Sequence, residues 1–109
     1  MTLLTRLPAR LGPAAVLTGA DTDSYGHDWT GKYRWQPLAV VRPASTEEVA
    51  SILSLAHDAG VPVVPVGGRT GLTGAIAAEG ALMLSLERMN RIRAIKPEAR
   101  IAIVEAGVV

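Results

Sequence analysis

The chain has 109 residues, 49% hydrophobic and 19% charged, which places it among folded globular chains and bounds it at one small domain. Its formal net charge is +1 with the basic residues scattered, so it lacks the clustered basic face of a nucleic-acid binder; nine of its eleven basic residues are arginine, a type suited to anion contacts. With no cysteine it has neither disulfides nor thiolate metal sites, and no run approaches the ~18 apolar residues that a membrane span requires.

Residues 2–11 place Leu3, Leu4, Leu7 and Leu11 at helical spacing, with Pro8 expected to kink or shorten the helix and Gly12-Pro13 to end it. Arg6, Pro8 and Arg10 interrupt the apolar core that a signal peptide would need, so a cytoplasmic location is the default expectation. Residues 19–36 are polar and turn-rich yet hold both tryptophans and both tyrosines. They read as an irregular segment pinned to the domain behind it by Tyr25, Trp29, Tyr33 and Trp35. Leu38 to Val41 suits a short buried strand, closed by Pro43.

Ser45-Thr46-Glu47-Glu48 matches a capping box, with Ser45 as N-cap and Glu48 three residues on. The helix begun there, 46–59, is expected to present Val49, Ile52, Leu53, Ala56 and Ala59 on one face, with Gly60 and Pro62 stopping it. Val61 to Val66 is the next strand, and its two prolines place it near an edge or at a strand end. Together these form a β-α-β unit, for which a right-handed crossover is expected.

That strand runs into Gly67-Gly68-Arg69-Thr70-Gly71-Leu72-Thr73-Gly74, four glycines in eight residues. Glycine has no Cβ to hold a ligand away, so such a loop can press its backbone N–H groups against a phosphate. Three phosphate-binding loops compete. A P-loop needs Lys-Ser or Lys-Thr after the last glycine and a helix beyond; Ala75-Ile76 follow Gly74, and no lysine lies between Lys32 and Lys96. A dinucleotide fingerprint needs glycines at its first, third and sixth positions opening a helix. Here the third position is Arg69 or Thr70, and Gly80 cuts the run from Ala75 too short for that helix. The surviving reading is a strand–loop–strand pocket whose amides surround a diphosphate.

Downstream, Ala81 to Leu86 reads as a strand and Arg88 to Ile92 as a turn. Arg93 to Ile95 suits a short strand, with Lys96 to Ala99 as a turn and Ile101 to Ala106 as a return strand of alternating apolar positions. The chain then stops just past a glycine turn at Gly107, which suggests the N-terminal piece of a longer protein. Other chemistry-bearing residues have plain structural readings. His57 belongs on the exposed side of its helix, and His27 lacks a partner. Glu47 and Glu48 belong to a helix start, and Glu105 to a strand. Arg88, Arg91 and Arg93 read as a solvated edge, Asn90 as a turn residue bonding local backbone, and Ser85 as an ordinary strand residue. No His, Asp or Glu spacing matches a metal site, so no metal and no catalytic residue is assigned.

In order, the strand Val40-Val41-Arg42-Pro43, the capped helix Ser45-Thr46-Glu47-Glu48-Val49, the strand Val61-Pro62-Val63-Val64-Pro65, the glycine loop, and the tail from Leu84-Ser85-Leu86-Glu87-Arg88-Met89-Asn90-Arg91-Ile92 to Val104-Glu105-Ala106-Gly107 resemble one known pattern. It is the first subdomain of the FAD-binding domain of the vanillyl-alcohol oxidase and p-cresol methylhydroxylase superfamily. Upstream, Asp28-Trp29-Thr30-Gly31-Lys32-Tyr33 is similar to a run in its bacterial D-2-hydroxyacid dehydrogenases, of the D-2-hydroxyglutarate and D-lactate/glycolate type.

The resemblance implies an α/β fold, a small sheet with a β-α-β core forming the first half of a FAD-binding domain over residues 37–109, preceded by a helix and aromatic-rich segment over 1–36. It implies that the FAD pyrophosphate is wrapped by Pro65, Val66, Gly67, Gly68, Arg69, Thr70, Gly71, Leu72 and Gly74. Val66, Arg69 and Ala75 depart from the residues common in that family. Arg69 either supplies positive charge beside the diphosphate or points into solvent. Covalently flavinylated members carry histidine at the place of Thr70, so a non-covalent FAD is implied.

The implied reaction oxidises a D-2-hydroxy acid to a 2-oxo acid. The C2 hydride passes to flavin N5 and a base takes the hydroxyl proton, with the base and carboxylate-binding residues in a later region. The electron acceptor and the acid itself are left open. Two alternatives remain: another enzyme of the superfamily, such as an alkyl-ether phospholipid synthase or a sugar oxidase, or a non-catalytic flavin-binding module.

Overall fold

The computed structural model describes residues 2–109. Helix α1 spans Leu3–Leu11 and buries Leu3 and Leu7, one helical turn apart. Pro8 sits inside it, yet the helix continues to Leu11, where the Gly12 N–H closes on the Pro8 carbonyl at 2.8 Å. A single 3₁₀ turn, Pro13–Ala15, leads into the short strand β1, Val16–Leu17. Strand β2, Ala39–Val41, and helix α2, Thr46–Ala59, come after the aromatic segment.

The start of α2 is the capping box modified. Ser45 Oγ accepts from the Glu48 N–H at 3.2 Å, while Glu48 Oε2 reaches one residue further back, to the Ala44 N–H at 2.7 Å. Gly60, at φ +69°, ends the helix. The buried stripe is narrower than the five-residue face expected. Ile52 and Ala56 are buried and Val49 and Leu55 partly so, whereas Leu53 and Ala59 are exposed.

Strands β3 (Val63–Val66) and β4 (Leu82–Ser85) complete a sheet in the order β1-β2-β4-β3, with β2, β4 and β3 parallel and β1 antiparallel to β2. The β2-α2-β3 unit therefore skips a place, which β4 fills after the glycine loop. The two prolines of the 61–66 run fit because β3 is an edge strand. Every residue of β2 and β4 is buried, the pattern of a parallel sheet covered on both faces.

Alternation divides these residues between two layers. Ala39, Val41, Leu82 and Leu84 face the helices with Leu7, Ile52 and Ala56. Val40, Met83 and Val66 face the aromatic segment with Tyr25, Trp35 and Ala78. That segment is more regular than expected: a 3₁₀ helix over Gly19–Tyr25, then a turn closed by the His27–Arg34 bridge. Only half of its aromatic side chains anchor it. Tyr25 and Trp35 are buried, whereas Trp29 is 72% exposed and Tyr33 43%. Trp35 Nε1 donates to Met83 Sδ at 3.4 Å.

Strands β5 (Ile92–Lys96) and β6 (Ile101–Val104) form a separate antiparallel hairpin, almost wholly exposed. Its base is fastened by the buried Glu105, which pairs with Arg91 Nε at 3.3 Å and Arg93 Nη2 at 3.5 Å. The solvated arginine edge expected from sequence is thus partly a set of ion-pair partners. Gly107 then passes so close to the turn after β4 that a Cβ would lie 1.7 Å from the Leu86 carbonyl oxygen.

Candidate functional site

The glycine loop leaves β3 at the carboxyl end of a parallel sheet, the end at which open α/β sheets take their ligands. The last ladder bond runs from the Leu86 N–H to the Val66 carbonyl at 2.9 Å. Beyond it, among the described residues, no N–H of residues 67–76 donates to a backbone or side-chain acceptor, and no helix begins there. Most of these residues are exposed, and the space beside Gly71 is open. A run of unpaired donors on small residues fits a group that offers only acceptor oxygens, as a diphosphate does.

The nine residues marked out by sequence occupy this loop and the end of β3, in distinct settings. Val66 is buried in the sheet and its carbonyl already accepts from the Leu86 N–H, so it anchors the start of the loop. Leu72 is 56% exposed, and Thr70 is exposed beside Trp29 in a groove of about 300 Å³. Gly74, at φ +76°, packs near the Tyr33 ring. Arg69 lines two clefts beside the loop, and its guanidinium is at the same time tied to the segment upstream. At φ +58° it turns back along the molecule: Nη1 donates to the Ser24 carbonyl at 2.8 Å, and the guanidinium lies 4.4 Å from the Tyr25 ring centroid.

The fold also assembles residues that are far apart in sequence. A cleft of about 470 Å³ lies between Gly67, Gly68 and Arg69 of the loop, Glu87 and Asn90 after β4, and Gly107 to Val109 after β6. Asn90 makes no side-chain hydrogen bond among the described residues, so it faces this cleft rather than bracing its own turn. The signal for it was the tail motif, whose two ends belong to one pattern although nothing local places them beside the loop. A second cleft of about 480 Å³ lies between the start of α2 and the Arg91–Arg93–Glu105 cluster. Arg91, Arg93 and Glu105 there already pair with one another, and the cleft has no comparable run of free donors, so it is the weaker candidate.

Two ionisable groups beside the loop are perturbed. Burial pushes the Tyr25 phenol up, helped by its hydrogen bond to Glu87 and that carboxylate's charge, with Arg42 and Arg69 acting in the opposite direction. For Asp28, burial pushes upward, but the Thr30 hydroxyl and the N–H groups of Tyr33, Lys32 and Gly31 prevail and hold its carboxyl below the usual aspartate value. Asp28 thereby ties the 28–33 turn that displays Trp29. Among the described residues, the His27 ring has one hydrogen-bond partner, the Asp28 carbonyl, 2.9 Å from Nδ1, and His57 is exposed on α2. Among the described residues, no three His, Cys, Asp or Glu side chains converge as metal ligands, and no helix is long and apolar enough to cross a membrane.

Residues 37–109 match the family described as "FAD binding domain". The chain is 47% identical over 89 residues to a D-2-hydroxyglutarate dehydrogenase of Xanthomonas citri pv. viticola, covering 81% of this chain and 19% of that protein. It is 40% identical over 109 residues to a D-2-hydroxyglutarate dehydrogenase of Stutzerimonas stutzeri, covering 98% and 24%. The chain thus spans about a fifth to a quarter of these relatives. Among solved structures, p-cresol methylhydroxylase with substrate bound superposes with a TM-score of 0.82 at 26% identity, covering 97% of this chain and 22% of that one.

Proposed function

Because this chain belongs to the FAD binding domain family, in the fold of p-cresol methylhydroxylase, we propose that it is the diphosphate-gripping part of an FAD-dependent dehydrogenase that oxidises a D-2-hydroxy acid to the 2-oxo acid. The observation that carries the reading is the run of unpaired amides over residues 67–76 at the carboxyl edge of the sheet. The two D-2-hydroxyglutarate dehydrogenases support the substrate class. On this reading residues 1–36 are a helix and aromatic cover, and residues 37–109 the first part of the cofactor domain.

Pro65, Val66, Gly67, Gly68, Arg69, Thr70, Gly71, Leu72 and Gly74 form the grip. The amides from Gly67 onward are free to donate to phosphate oxygens, Thr70 adds a hydroxyl donor, and Val66 holds the start of the loop to the sheet by its ladder bond and its buried side chain. FAD, when bound, accepts the two electrons released as the substrate alcohol becomes a carbonyl. No residue here is assigned to abstract the substrate proton. Thr70 stands where covalently flavinylated members carry histidine, so this loop makes no covalent bond to the flavin.

The test is purification of the full-length protein, a flavin spectrum, and anaerobic reduction by a panel of D-2-hydroxy acids. Bleaching of the flavin by D-2-hydroxyglutarate or D-lactate, with the L-enantiomers inert, is expected. A flavin that none of these acids reduces would remove the substrate assignment. Denaturant followed by gel filtration should leave apoprotein without yellow colour, and flavin that peptide mapping places on residues 67–74 would refute non-covalent binding at this loop.

A further inference from the structure

Within the loop, Arg69 is the one non-glycine residue held at positive φ, +58°, a conformation that L residues keep only where their surroundings impose it. Its surroundings do so from outside the loop. The guanidinium donates to the Ser24 carbonyl at 2.8 Å and lies over the Tyr25 ring at 4.4 Å. Tyr25 is itself buried, and its hydroxyl donates to Glu87 on the turn after β4. A planar guanidinium can stack and donate at once, which an ammonium does less well.

The loop has little else to hold it. Among the described residues its amides have no internal acceptors, and of its carbonyls only that of Gly74 accepts from the backbone, from Ala77 at 3.1 Å. Between the end of β3 and the Tyr33 ring beside Gly74, the Arg69 side chain is the fastening that ties the loop to the layer covering the sheet. A loop left free would have to be ordered as the ligand arrives, at a cost in affinity.

We infer that Arg69 is a latch: by clasping Ser24 and Tyr25 it holds the diphosphate loop open in its binding conformation before cofactor arrives, making the aromatic segment a positioning element for FAD retention. This rests on the proposed FAD function. Arg69 on this account is a positioning residue whose charge is directed at the segment behind it.

The test uses the full-length protein, with two readouts: the rate of FAD release, followed by flavin fluorescence, and the rate of thermolysin cleavage beside Leu72 in the apoprotein. Arg69→Gln should release FAD about tenfold faster, the scale of one lost charge-assisted hydrogen bond, and should speed cleavage of the apo loop. Arg69→Gly relieves the backbone strain yet should show the same loss. Tyr25→Leu should match them, and combining it with Arg69→Gln should add little, because both remove one clasp. Tyr25→Phe keeps the stack and should stay near the wild-type rate.

Two results would overturn the latch: unchanged FAD release in both Arg69 variants, or faster release in Arg69→Gln with unchanged apo cleavage and full rescue by Arg69→Lys. The second pattern would make Arg69 a charge acting on the diphosphate itself. Wild-type protein that takes up no FAD would overturn the FAD reading and this inference with it. Tyr25 is buried and its variant is checked for folding by circular dichroism, whereas the Arg69 variants lie at the surface and decide the matter alone.

Discussion

Strands β4 and β6 are both short and apolar, yet they end in opposite environments. Leu82, Met83 and Leu84 of β4 are at most 4% exposed, whereas Ile101, Ile103 and Val104 of β6 are 49%, 43% and 46% exposed. The difference lies in what covers them. The central sheet has helices on one face and the aromatic segment on the other. The hairpin has neither: Ile92, Ile95 and Val104 share one face by register and Ile101 and Ile103 the other, all open. Apolar pattern alone therefore does not make a core, and a lone two-stranded sheet is marginal in water.

The largest expected effect comes where the two regions meet. Gly107→Ala puts a Cβ 1.7 Å from the Leu86 carbonyl, and the Gly107 N–H already bonds the Met89 carbonyl at 2.9 Å, so the backbone cannot move aside without losing that bond. A loss of about 4 kcal/mol or more is expected, read as a lowered denaturation midpoint. A variant with wild-type stability would mean that the hairpin is not rigidly joined to the sheet.

Next is the direct contrast. Met83→Ala removes a fully buried side chain and the acceptor for Trp35 Nε1, and should cost about 3 kcal/mol. Ile95→Ala in the same chain should stay within about 0.5 kcal/mol. Urea titrations of the two variants check this. Equal losses would erase the distinction between covered and bare strands.

The same contrast explains what was legible in the sequence. The Ser45 cap, Gly60 stop and 46–59 helix arise from local chemistry, and the structure has them at those residues. The edge position of the 63–66 strand stems from its prolines. What sequence could not supply was which partner each element meets. Leu53 fits the apolar stripe by spacing but lies outside the narrow contact with the sheet. Trp29 and Tyr33 are aromatic enough to anchor yet stand exposed, because the Asp28 turn directs them outward. For the site, the glycine spacing marked the loop. Glu87, Asn90 and Gly107 to Val109 reach it only through the β4 turn and the hairpin's return, contacts of long sequence separation.

The smallest expected effect tests whether the cover over the sheet's second face can be loosened without touching the core. Asp28 accepts from Thr30 Oγ1 at 2.9 Å and the Tyr33 N–H at 3.3 Å, and its own N–H bonds the Tyr33 carbonyl at 3.0 Å, closing the turn that leads to Trp35. Its carboxyl is held below the ordinary value, so as pH falls the unfolded chain takes up the proton first. The stabilisation is complete above about pH 4 and fades as pH drops through the lower folded value. Asp28→Asn should therefore be less stable at neutral pH and should show a flatter acid limb. Its Trp35 emission should report a wetter face, because Trp35 is buried against Met83 whereas Trp29 is already in solvent. If both proteins lose stability in parallel below pH 4, the Asp28 turn does not hold this layer, and the buried face of the sheet owes its dryness to Tyr25 and Trp35 alone.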